Sequence, residues 1–377
     1  MTQSVNFNEC IDLIRTVGPK RTVIIEGENG VGKTALWRAL ALRPEFADYI
    51  KPEPVECTQL SDGSIWMPDI DKELGVSREL PNERFGVNRR NRKGVNGSKP
   101  VLLCFDEVLK VQQFIKNMIA PVMYERRIGD YYMAEGSIVF ACTNLSVEGL
   151  GDSIQPHLRS RVIIVRMRKP TQAEWRDNFA IPHALNPAVI AYTEMYPQVF
   201  DSFLDYEQGG KYAGKPIEKE NGRIFNPRLA QDNYSSPRTL HILSDVVDAH
   251  EKYSFSPIAL QAAVDGAVGV VSGAEIAAFI RFNEELVKYE RVVADPGKAP
   301  LSTNPTAQLV QVFQFITRTN TREEAAAIVK YVKRLRDEMQ TLFVTHVANS
   351  TRVVTFANAP GFSEMLEKNK IFLGGVK

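Results

Sequence analysis

Thr22-Val23-Ile24-Ile25-Glu26, then Gly27-Glu28-Asn29-Gly30-Val31-Gly32-Lys33-Thr34, then Ala35-Leu36-Trp37-Arg38-Ala39-Leu40: this run decides the fold of what surrounds it. Its first part is a short apolar run of β-formers and its last part a run of helix formers. The glycine-rich segment between them has the spacing G-x-x-x-x-G-K-T. A loop of this composition can curl until its backbone N–H groups converge, and the helix start adds partial positive charge, which together suit a phosphate group. Residues 27–34 are therefore the expected nucleotide-binding residues, with Lys33 reaching the β- and γ-phosphate oxygens and Thr34 giving its hydroxyl to Mg²⁺. A glycine turn with a solvated lysine would need neither the strand before it nor the helix after it.

Working outward, Val101-Leu102-Leu103-Cys104-Phe105 ends in Asp106-Glu107, and Ile138-Val139-Phe140-Ala141-Cys142-Thr143 ends in Asn144. Uninterrupted apolar runs mark parallel strands buried on both faces, and ligands bind at the carboxyl ends of such strands. Asp106 is expected beside Thr34 as a Mg²⁺ ligand, mostly through water, and Glu107 as the base that polarises an attacking water. Strand and helix signals alternate up to Lys169-Pro170, with a last strand at Val162 to Met167, and only helical patterns follow. Pro187, Pro237 and Pro257 each open one of them, at the position where a missing N–H costs little. The expected organisation is an α/β parallel-sheet core over 1–169, a helical lid over 170–290 and a helical extension over 291–377.

With these motifs in place the chain resembles the AAA+ ATPases. The resemblance implies ATP and Mg²⁺ as cofactors and ATP hydrolysis as the activity. It makes Asn144 the first sensor, bonded to the γ-phosphate and the attacking water. It makes Arg238, in Ser235-Ser236-Pro237-Arg238, the second sensor at the start of a lid helix. Pro156-His157-Leu158-Arg159-Ser160-Arg161 precedes the last strand, where the family carries an arginine finger; Arg161 matches best and Arg159 is the second candidate. The segment Arg126 to Ser137 reads as a hairpin turning near Gly129-Asp130. A hairpin before the first sensor is similar to the MoxR-like clade. That resemblance implies a homo-oligomeric ring, expected to be a hexamer, acting as a motor or chaperone on a protein. It also implies a partner carrying a von Willebrand A metal-binding domain, encoded nearby in bacteria or phages.

Composition limits the alternatives. Lys and Arg number 46 and Asp and Glu 45 in 377 residues, a formal charge of +1, so no global field attracts nucleic acid or an anionic membrane. Any nucleic-acid contact must be a local patch, and the stretch 58–100 holds one candidate. Arg84, Arg89, Arg90, Arg92 and Lys93 read as an exposed basic loop, solvated or else facing a pore or a nucleic acid. A nucleic-acid-associated AAA+ protein (initiator, helicase or loader) is thus the rival to the protein-remodelling reading. A ring that binds ATP without turnover is disfavoured by the full set of catalytic candidates, and a small-molecule kinase by the helical lid. No run of about 18 apolar residues suggests a membrane span. Cys10, Cys57, Cys104 and Cys142 lack zinc-type spacing and read as free thiols, so a cytoplasmic location is expected, bacterial or that of a phage host.

Overall fold

The computed structural model describes residues 3–145, 159–284 and 286–369. They fall into two compact units, residues 1–169 and 170–377.

The first unit is built on a sheet of, among the described residues, six parallel strands: β1 (Ser4–Val5), β2 (Val23–Gly27), β3 (Val55–Glu56), β6 (Leu102–Asp106), β9 (Ile138–Asn144) and β10 (Ile163–Met167). Their order across the sheet is β1-β10-β2-β9-β6-β3. Val23 pairs with Phe140 and Ile163, and Leu102 with Ile138, so β2 and β10 start level with each other, two residues further along than β6 and β9, and β2 ends level with Asn144 of β9. After β2 the chain runs to the β3 edge, works back through β6 to β9 beside β2, and then crosses to β10. The reversal of direction around β2 marks the carboxyl ends of β2 and β9 as the place where sheets of this kind bind ligands.

Residues along the strands alternate between two cores. Val23, Ile25, Leu102, Cys104, Phe140 and Cys142 face α1 (Phe7–Val17) and α2 (Ala35–Ala41). Ile24, Leu103, Phe105, Val139 and Ala141 face α3 (Gln113–Glu125). Covering both faces is what lets these strands be apolar throughout. All four cysteines are buried and unpaired.

Two small antiparallel hairpins stand outside the sheet: β4 (Trp66–Asp71) with β5 (Val76–Pro81), and β7 (Arg127–Ile128) with β8 (Tyr131–Tyr132). The second turns at Gly129-Asp130, the position its sequence indicates. The first lies in a stretch whose sequence suggests only a long loop. The two hairpins meet closely: a Cβ on Gly129 would lie 2.5 Å from the Glu79 Cβ, and the Glu79 N–H donates to Asp130 Oδ2 at 3.0 Å.

The second unit is helical, with no strand among its described residues. Its principal helices are α4 (Pro187–Met195), α5 (Pro237–Tyr253), α6 (Pro257–Val268), α7 (Val270–Glu284), α8 (Tyr289–Ala294), α9 (Pro305–Arg318), α10 (Arg322–Val332), α11 (Asp337–Ala348) and α12 (Phe362–Lys368). The sequence suggests single long helices over 257–289 and 322–348, and both are interrupted. Gly269, at φ 82°, ends α6, and residues 333–336 separate α10 from α11. One apolar core runs from Trp175 to Met365 without a break at residue 290, so lid and extension are packed as one body. No described helix is long and apolar enough to cross a membrane.

Candidate nucleotide site

The glycine-rich loop leaves β2 at Gly27 and reaches α2 at Ala35. Gly32 adopts φ 98°, a conformation strained for any side chain, and a Cβ on Gly27 would press against the Met167 carbonyl oxygen at 3.0 Å. Thr34 occupies the N-cap of α2 but does not cap it. Its hydroxyl donates instead to Asp106 Oδ2 at 2.5 Å, across from the end of β6. The other Asp106 oxygen accepts from the Glu107 N–H at 3.0 Å. The loop and the β6 carboxylate are thus brought together, although 72 residues separate them in the chain.

Lys33 is buried, and its ammonium donates to Gly27 O, Glu28 O and Asn144 Oδ1, each at 2.8 Å. The last of these bonds fixes the Asn144 amide. With Oδ1 committed to Lys33, Nδ2 is the free end, and it is buried with no hydrogen-bond partner. An unsatisfied buried donor costs about 1–3 kcal/mol, so the site is short of an acceptor where Asn144 points. A phosphate oxygen is such an acceptor. Thr34 and Asp106 offer hard oxygen atoms of the kind Mg²⁺ takes, and on both counts these residues fit a Mg-nucleotide.

Glu107 has a left-handed backbone (φ 55°), and its carboxylate is paired with the Lys110 ammonium three residues on. Nothing in the sequence singles out Lys110, since a lysine in a loop after a strand carries no signal there. Glu28 is also occupied: its carboxylate forms a buried ion pair with Lys169 at 3.1 Å. Glu28 can therefore serve a phosphate through its backbone N–H rather than its side chain. Lys169 escapes sequence reasoning because nothing local links the last residue of the first unit to position 28.

Arg161 is exposed, with its guanidinium 5.7 Å from the centre of the Tyr124 ring. It precedes β10, at the end of the sheet where Ile163 N–H bonds Thr22 O. The strands are five residues long, so about 17 Å of sheet separates this end from the loop. Arg161 is not brought to its own chain's Lys33. Arg159 is exposed as well, while Pro156, His157 and Leu158 lie outside the described residues. Arg238 sits in the first turn of α5 in the second unit, on its exposed side, following the N-cap Ser236, whose side chain accepts from Thr239 N.

No family model matches the chain, and no curated protein does. Among solved structures the chain is similar to NtrX from Brucella abortus, at 14% identity over 99% of this chain and 69% of that one, with a TM-score of 0.32. It is similar also to the same protein in complex with ADP (15%, 97% and 68%, 0.33). A proposed ATPase from Cytophaga hutchinsonii matches at 12%, over 96% and 88%, with a TM-score of 0.30. Likeness at this level assigns neither fold nor activity, so the geometry of the site carries the reading.

Proposed function

We propose that the chain is a Mg²⁺-dependent ATPase of the AAA+ type, MoxR-like in kind, that works as a homo-oligomeric ring and remodels a protein partner. The observation that carries the nucleotide reading is the Asn144 amide, held by Lys33 with its buried donor lacking an acceptor beside the Thr34 and Asp106 oxygens. Residues 27–34 would cradle the phosphates, Thr34 and Asp106 would hold Mg²⁺, and Asn144 would bond the terminal phosphate. The metal's chemistry is to neutralise charge on the phosphate oxygens. Glu107 orients and deprotonates the attacking water, which requires its carboxylate to leave Lys110. Arg161 acts on the neighbouring subunit, a role its distance from the chain's own loop supports, and Arg238 reports on the nucleotide from the helical unit.

The ring, with six subunits as the expected number, a von Willebrand A-domain partner and a cytoplasmic location complete the proposal. The second reading, a nucleic-acid-associated ATPase, has the exposed basic loop before β6 on its side. The test is phosphate release from Mg·ATP together with particle imaging in a slowly hydrolysed analogue. Closed rings and a turnover reduced at least 100-fold by Glu107→Gln, with ATP affinity retained, are expected. Monomers that hydrolyse at full rate would overturn the assembly, and a Glu107→Gln variant of normal turnover would overturn the site.

A further inference from the structure

We infer that the loop before β6, together with Tyr132, is a contact surface for single-stranded nucleic acid. It goes beyond the proposed ATPase and stands without it. Six cations and no acid occur between residues 84 and 105: Arg84, Arg89, Arg90, Arg92, Lys93 and Lys99. Arg89 meets Asp69 at 3.0 Å and Lys99 meets Asp48 at 3.9 Å, both well exposed and so of little worth. Arg84, Arg90 and Lys93 are exposed and, among the described residues, in no ion pair.

A merely solvated loop would not need the bracing this one has. Asn88 Oδ1 accepts from the N–H groups of Arg90 (2.8 Å) and Asn91 (3.0 Å). Buried Asn91 donates to Gly86 O at 3.0 Å and accepts from Lys99 N at 2.6 Å, while Ser98 Oγ donates to Arg92 O at 2.7 Å. Side chains thus hold the backbone in one shape and leave the cations facing water.

The structure also brings an aromatic group to this loop that the sequence keeps about 40 residues away. Lys93 N–H donates to Tyr132 O at 2.9 Å, Arg92 lies 4.9 Å over the Tyr131 ring, and Tyr132 is 48% exposed. A cationic strip beside an open ring is what a single strand needs: charge for its phosphodiesters and a face for a base. Both elements lead into the amino ends of strands, the loop into β6 and the hairpin into β9, so the surface is at the opposite end of the sheet from Lys33 and is not part of the nucleotide site.

The test is fluorescence anisotropy of a labelled 30-mer, as DNA and as RNA, with the full chain at low salt. Salt-dependent binding of both is expected, with a duplex of the same length weaker. Arg84→Gln/Arg90→Gln/Lys93→Gln should weaken binding at least tenfold and flatten the slope of log affinity against log salt by about two, at roughly 0.7 for each phosphate no longer neutralised. Tyr132→Ala should weaken the oligonucleotide about tenfold and leave heparin, which has no bases, unchanged. Lys33→Ala should bind normally, and thermal midpoints should confirm that every variant is folded. Absence of binding, binding indifferent to the triple substitution, loss of binding in Lys33→Ala, a duplex bound as well as the single strand, or polyglutamate competing as well as the oligonucleotide would each overturn the assignment.

Discussion

Asn144 joins sequence to chemistry most directly. It ends a strand all of whose residues are buried, its Oδ1 accepts from the Lys33 ammonium, and its Nδ2 is left as a buried donor. Asn144→Ala should remove that donor and lower turnover about 10- to 100-fold, with a small effect on ATP affinity, because one hydrogen bond to a charged group is worth roughly 1.5–3 kcal/mol. Asn144→Asp should do more harm: its carboxylate would pair with Lys33 and repel phosphate, so ATP affinity itself should fall, and falls of equal size in both variants would count against the role of Nδ2. Positions 27–34, 106 and 144 can be picked from the sequence because spacing and strand ends mark them. Lys110 and Lys169 cannot. Lys110 acts through an ordinary three-residue contact, and Lys169 through a contact between residues that no local pattern connects.

Among the elements, the strands marked most clearly are the ones buried on both faces, β2, β6 and β9, as unbroken apolar runs, and the less buried β10 is legible too, as Val162 to Met167. The two-residue edge strands β1 and β3 are too short to show a period. The β4 strand, Trp66-Met67-Pro68-Asp69-Ile70-Asp71, mixes polar and apolar residues with a proline, which suits an edge and resembles a loop. Its hairpin is locked to the next at Gly129. Gly129→Ala faces a clash with Glu79 and a positive φ (54°), and should cost about 1–3 kcal/mol, read as a lower midpoint in urea. An unchanged midpoint would mean that the hairpins do not pack as described. In the helical unit Glu194 lies between Arg176 at 2.9 Å and His346 at 3.6 Å. Burial alone would raise its pKa, but His346 and Arg176 together hold it down to about 2. A carboxylate depressed when folded stabilises the fold above its unfolded pKa near 4.5, and loses that contribution as pH falls through about 2. Wild type should therefore lose stability between pH 4.5 and 2 more steeply than Glu194→Gln, a difference that parallel slopes in acid melts would contradict.

At the scale of the whole molecule, 1–169 is one α/β body and 170–377 one helical body, and the change at Lys169-Pro170 is plain in the sequence because strand patterns stop there. The continuity of the helical core across residue 290 is not legible, since an amphipathic helix does not name the helix it packs on. In the proposed ring Arg161 would serve the neighbouring subunit, since about 17 Å of strand separates it from the loop of its own chain. Arg161→Ala chains mixed with Glu107→Gln chains should recover turnover, because some interfaces then pair an intact Glu107 with an intact Arg161, and no recovery at any ratio would remove the shared site. All of this rests on the grip of residues 27–34 on a triphosphate, and the most direct test is calorimetric titration of Mg·ATP into the wild-type chain and into Lys33→Ala. The account predicts saturable binding of one nucleotide per chain that Lys33→Ala weakens at least 100-fold; a wild-type chain that binds no nucleotide, or a variant that binds it as well, would contradict it.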